Sequence, residues 1–265
     1  MRYLVVGAHP DDCEYRFGGT TVKLAAQGHA VKFLSVTNGD AGHHVQGGAT
    51  LVTRREAEAQ EGARRAGAAA CESLDNHDGE YVPTLENRCE IIRQIREWKA
   101  DVVITHRPND YHPDHRYTSM LVQDAAFMVM VPNICPATPA LRHNPVFLYM
   151  EDDFRKPAPF SADIVVDITD VWDKKVSSIG AHVSQFYEWL PWLDGNLEKV
   201  PSSAPERTKW LDQWLQQLLR NDFREAVERR YGKEQAGRVR FVEAFEVCEY
   251  GRQPSPEERD KLLPR

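Results

Sequence analysis

The chain has 265 residues, with 33 Lys and Arg against 40 Asp and Glu and a formal net charge of −7, which argues against nucleic acid or a membrane surface as partner, since both are held by a basic face. Its five cysteines, Cys13, Cys71, Cys89, Cys135 and Cys248, are odd in number, scattered and free of any CxxC pair, the pattern of reduced thiols in a cytoplasmic protein. No stretch approaches the roughly 20 apolar residues of a membrane span, and the N-terminus lacks the ordered regions of a signal peptide.

In chain order, a β-prone run at Tyr3–Ala8 is followed by a helical pattern opened by Gly18-Gly19-Thr20 and stopped at Gly28, where glycine supplies a C-terminal signal. A strand over Ala30–Thr37, a glycine-rich segment from Asn38 to Ala49 and a helix from about Leu51 to Gly67 complete a strand–helix–strand rhythm. The glycine-rich segment reads as a mobile lid or a plain flexible loop. A weaker strand near Cys71–Leu74 precedes the polar NHDGEY loop, and Thr84–Lys99 repeats its apolar residues along one helical face. Asp101–Thr105 is the next strand, followed by a motif loop and a helix from about Arg116 to Met130.

Strands are expected near Val146–Met150 and Asp163–Ile168, with helical pattern from Asp170 to about Tyr187. Leu190–Arg207 is broken by prolines and Gly195, a long helix is expected from about Glu206 to Tyr231, and Arg240–Val247 returns as a late strand. The whole reads as one α/β domain over residues 1–265 with a mostly parallel sheet, a Trp-rich helical insertion at about 186–231 and a loosely held charged tail at 254–265.

Two segments carry chemistry, AHPDDCE at residues 8–14 and HRPNDYHPDH at residues 106–115, each directly after an apolar strand. In open α/β sheets ligands bind beyond the carboxyl ends of the strands. The second segment packs three imidazoles and two carboxylates into ten residues, a density that no ordinary turn requires. His9, Asp12 and His115 would supply the three protein ligands of a catalytic zinc-type site. Asp11, beside a ligand but not needed as one, is the candidate general base. His112 is the candidate for stabilising an oxyanion, with Asp114 or Asp110 orienting its ring and keeping it protonated. The reaction this set suits is hydrolysis at a carbonyl.

The pairing of AHPDDxE near the N-terminus with HPDH after a later strand resembles the LmbE-like, or PIG-L, family of zinc-dependent N-deacetylases. The resemblance extends over most of residues 1–190 through TNGDAG, Asp78-Gly79 and VVDITDVWDKKVSSIGAHVSQ. It implies a Rossmann-like three-layer fold with the metal site at the C-terminal ends of the strands, and removal of acetyl groups from N-acetylglucosamine-type amino sugars or their conjugates. It likewise implies His9, Asp12 and His115 as zinc ligands, Asp11 as base and His112 as oxyanion group. Arg55 and His182 are implied as substrate-binding residues. The same ligands also suit Fe2+, Co2+ or Mn2+.

The chain departs from the family in EYRFGGT, where EIGxGGT is common, so that Tyr15, Arg16 and Phe17 follow the active loop and are expected to shape the pocket. The Phe186–Leu215 stretch, with Trp189, Trp192, Trp210 and Trp214, is the other departure. Tryptophans stack on sugar faces but also fill cores and subunit interfaces; core or interface is the expectation for most of them, in a homo-oligomer. Rival readings are hydrolysis of another amide or an ester, a metal-binding relative without turnover, and a nucleotide-binding module. The last is disfavoured because no GxGxxG follows the first strand.

Overall fold

The computed structural model describes residues 1–218 and 223–265. Its elements, in order, are β1 (Arg2–Gly7), α1 (Asp12–Ala26), β2 (Ala30–Ser35), α2 (Gly48–Ala66), β3 (Ala70–Ser73), α3 (Leu85–Trp98), β4 (Val102–Thr105), α4 (Pro113–Met128), β5 (Val146–Met150) and β6 (Ile164–Asp167). There follow α5 (Trp172–Ile179), a π-helical turn at Gln185–Trp189, α6 (Leu190–Leu193), α7 (Ala204–Leu218), α8 (Arg224–Tyr231), α9 (Lys233–Ala236), β7 (Val242–Val247) and α10 (Pro256–Leu262).

The seven strands form one sheet in the order β3-β2-β1-β4-β5-β7-β6. The first five are parallel, and β7 runs antiparallel to both β5 and β6. Side chains alternate across the sheet. Tyr3 and Val5 of β1 pack with Phe17, Leu24, Ala63, Val176 and Ile179 of α1, α2 and α5. Leu4 and Val6 pack with Ile91, Ile95, Leu121 and Ala125 of α3 and α4 on the opposite face. The result is the mostly parallel, helix-flanked α/β architecture expected. Buried Glu243 of β7 accepts the amide N–H groups of Gly19 and Thr20 and pairs with Lys175, tying α1 and α5 to the sheet.

The order of the sheet places the site. From β1 the chain builds outward through β2 and β3, then returns to add β4 on the other side. The gap beyond the adjacent ends of β1 and β4 is therefore the switch point. Val6 is paired with Thr105, so the segments starting at Ala8 and His106 leave the sheet side by side.

Several local expectations are revised. Helix α1 begins at Asp12, well before Gly18, and α4 begins at Pro113 with His112 as N-cap, so both motifs are first helical turns rather than free loops. Proline at N1 and acidic groups in the first turn suit such a terminus. In place of one helix from Glu206 to Tyr231 there are α7 and α8, and residues 219–222 lie outside the described residues. The segment expected as a loose tail contains α10, started by a Ser255/Glu258 capping box. Leu262 and Leu263 are buried, and Leu262 O accepts the Tyr3 hydroxyl at 2.7 Å; burying those two leucines holds the segment against β1. No helix among the described residues is long and apolar enough to cross a membrane.

Candidate active site

A cavity of about 730 Å³ opens over the ends of β1 and β4, lined on one side by His9, Asp11, Asp12, His106, His112 and His115. The post-strand turn is closed by Asp12, whose Oδ2 accepts the N–H groups of Ala8 at 2.9 Å and His9 at 2.7 Å. That leaves Asp12 Oδ1 without a backbone partner, 3.7 Å from His115 Nε2. His9 Nδ1 is 3.2 Å from His115 Nε2 and 3.6 Å from the nearer Asp12 oxygen. Donors around a tetrahedral zinc-type ion lie about 3.3 Å apart, close to these three separations, and His9 and His115 also share a donor cluster with His112.

The other ring nitrogen of each imidazole faces a carboxylate. His9 Nε2 is 3.1 Å from Asp78 Oδ1 and 3.5 Å from Asp114 Oδ2, and His115 Nδ1 is 3.1 Å from Asp110 Oδ2. Such partners orient metal-binding histidines and raise their basicity. Burial alone would lower the pKa of His9, but Asp114, Asp12 and Asp78 raise it well above the usual histidine value. Asp12 is held well below the usual carboxylate range: burial opposes this, but His115 and His106 outweigh it.

Asp110 and Asp114 thus place their carboxylates beside the imidazoles of His115 and His9, and of the two expected to orient His112 it is Asp114 that does so, through its backbone rather than its carboxylate. His112 Nδ1 instead accepts the backbone N–H of Asp114 at 3.2 Å. Burial, with His9 and His115 close by, lowers the pKa of His112. Its ring meets that of His9 edge to face at 4.6 Å.

His106 opens the second motif. Its Nε2 accepts the N–H of Ala8 at 3.0 Å, it lies 3.2 Å from Asp12 Oδ2, and its ring stacks on His115 at 4.0 Å. Asp12, His106 and His115 form one donor cluster, and His9, Asp78, His112 and Asp114 another, but the lone pair of His106 is already engaged by Ala8. Burial, then His115, pushes its pKa down to about 4, so it anchors the loop as a neutral ring.

Arg55 reaches the cavity from α2, yet its guanidinium is occupied. It donates to Gly39 O at 3.1 Å and lies 3.4 Å from Asp11 Oδ1 and 3.6 Å from Asp78 Oδ2. Its approach explains the glycines of the 38–49 segment, because a Cβ at Gly39 or Gly42 would come within 2.7 Å of the guanidinium. That segment is tied down at several points: Gly42 O accepts Gln185 Nε2 at 3.0 Å, and His43 Nε2 is 3.0 Å from Glu188.

His182, expected to reach substrate, is fully buried, does not line the cavity and sits 3.4 Å from Glu14. It fills the packing between α1 and α2, where Gly62 leaves room for it. Tyr15 and Arg16 line the cavity as expected from their position, whereas Phe17 is in the core against Phe245. Trp189 and Trp214 also line the cavity, and Trp210 and Trp214 pack against the core. Asp78 is the main carboxylate that sequence reasoning left without a role. Its signal was the DG pair, because Gly79 has φ of +87° and its N–H reaches Asp114 at 2.8 Å.

A doubly wound sheet with a carboxylate–imidazole cluster at its switch point defines an α/β protein whose site has groups that could hold a metal ion. A profile described as PIG-L, GlcNAc-PI de-N-acetylase, matches residues 4–126. The chain is 31% identical over 202 residues to diacetylchitobiose deacetylase of Thermococcus kodakarensis, covering 72% of this chain and 74% of that one. It is also 27% identical over 201 residues to 4-oxalmesaconate hydratase of Pseudomonas putida, 70% of this chain and 74% of the relative. The solved structure of N,N'-diacetylchitobiose deacetylase from Pyrococcus horikoshii, complexed with its inhibitor MPG, superposes with a TM-score of 0.68 at 25% identity, covering 93% of this chain and 83% of that one. The chain belongs to the PIG-L, or LmbE-like, family.

Proposed function

We propose that this protein is a metal-dependent hydrolase that removes an N-acetyl group from an N-acetylglucosamine-type amino sugar or its conjugate. Zinc is the expected ion, and Fe2+, Co2+ or Mn2+ suit the same donors. The observation that carries the reading is the convergence of His9, Asp12 and His115, 3.2 to 3.7 Å apart, with the other ring nitrogens of the two histidines 3.1 Å from Asp78 and Asp110 and Asp12 Oδ2 held by backbone amides. Deacetylase relatives acting on diacetylchitobiose support the substrate class.

His9, Asp12 and His115 would hold the ion. When bound, such an ion lowers the pKa of water from about 15.7 toward 7 and polarises a carbonyl oxygen. Asp11, lining the cavity beside Asp12 and held by Arg55, takes a proton from the attacking water and returns it to the leaving amine. His112 donates its Nε2–H to the carbonyl oxygen as negative charge builds there. Asp114 acts through its neighbours, with its amide fixing His112 and its carboxylate behind His9. Collapse of the tetrahedral carbon breaks the C–N bond and releases acetate and a free amine.

The hydratase relative motivates a second reading, hydration rather than hydrolysis, by the same base and donor. The test is acetate release by the metal-loaded protein from N-acetylated sugars and thiol conjugates, run beside an acyl ester and 4-oxalmesaconate. Acetate and free amine from an amino sugar are expected, and Asp11→Ala is expected to keep the metal and lose turnover. Turnover of 4-oxalmesaconate without any acetate release would overturn the deacetylase reading.

A further inference from the structure

The cavity has two unlike walls. Besides the carboxylates and imidazoles, Tyr15, Phe186, Trp189, Leu190, Leu193 and Trp214 line the same space. We propose that the acylated amine hydrolysed here carries an extended apolar group, alkyl or aryl, that lies along this second wall; the inference rests on the hydrolase reading above.

The wall begins at the reacting groups. Tyr15 follows Asp12 by three residues on α1, so the helix presents both on one side, and Asp11, the N-cap before them, lines the same cavity. From Tyr15 the apolar surface continues through Phe186, at 6.1 Å between ring centres, to Trp214, at a further 6.1 Å. The π-helical turn at Gln185–Trp189 runs into α6 and turns Phe186, Trp189, Leu190 and Leu193 toward the cavity; such turns recur at functional sites.

The wall is built in advance. Glu188 accepts from Arg54 at 2.6 and 2.8 Å and is 3.0 Å from His43. Trp189 is backed by Trp192, stacked at 5.3 Å and 15°. The amide N–H groups of Gln185 are engaged by Gly42 O and Ser184 Oγ, which fixes the start of the turn. A volume of about 730 Å³ is in the range that encloses a drug-sized ligand and exceeds what one acetylated sugar ring requires.

The metal-loaded protein is titrated by calorimetry with methyl, butyl and hexyl β-glucosides, which lack the acetamide, and assayed with the matching N-acetylglucosaminides. Each added methylene is expected to tighten binding and raise kcat/KM about fourfold, and Trp189→Ala or Leu193→Ala to lower that factor toward one. Binding and kcat/KM that are indifferent to chain length overturn the proposal. Length-dependent binding without acetate release from any acetamide supports the apolar wall and overturns the hydrolase reading instead.

Discussion

Replacing Arg55 by alanine distinguishes a residue that binds substrate from one that holds the base. The guanidinium lies 3.4 Å from Asp11 and 3.6 Å from Asp78, and only 3% of its side chain is exposed. At an effective dielectric of about 20, each attraction is about 5 kcal/mol before desolvation is counted. Removing one partner from a buried pair costs about 3–5 kcal/mol net, because the remaining carboxylates lose their counter-charge. For a chain of this size that corresponds to a fall in Tm of roughly 10 °C, measured by calorimetry or circular dichroism. Since Asp11 also loses its fixed position, kcat should fall on the order of 100-fold with KM within a few-fold. Arg55→Lys should be intermediate, as one ammonium cannot serve Gly39 O, Asp11 and Asp78 together. An unchanged Tm together with a raised KM at wild-type kcat would refute this reasoning and return Arg55 to direct substrate contact.

Three further outcomes are expected. Asp110→Asn, which removes the carboxylate beside His115, should weaken metal binding about 10- to 100-fold in a chelator competition while the circular dichroism spectrum is retained; unaltered affinity would deny Asp110 that role. His112→Ala should lower kcat about 100- to 1000-fold at full metal content, and a loss of metal instead would make His112 a ligand. The Arg54 hydrogen bond holds the Glu188 carboxyl below its ordinary value of 4.5. Its stabilising contribution is therefore complete above pH 4.5 and is lost as pH falls through the lowered value. Urea unfolding should show Glu188→Gln to be about 1 kcal/mol less stable than wild type at pH 7, with the gap closing in acid; a gap that persists at the lowest pH would exclude the carboxylate as its source.

Much of this protein follows from local chemistry. The β-prone runs before His9 and His106, the period-2 burial of β1 and the density of imidazole and carboxylate beyond those strands were legible because each depends on residues a few positions apart. Helix starts were less so: glycines at 18 and 19 weaken helical propensity, and packing of α1 on the sheet overrides it. What only the tertiary structure decided is which side chain meets which. Asp110 backs His115 while Asp78 and Asp114 back His9, pairings made by three separate segments. Arg55 and His182 look alike as polar residues in family-like segments, yet one is drawn to Asp11 and the other is enclosed with Glu14. The second wall of the cavity arises because the distant Gln185–Trp189 segment returns against Tyr15. Local sequence sets propensity and reactive groups, but a contact between distant segments exists only once the chain has chosen its packing, and the pocket's character is made of such contacts.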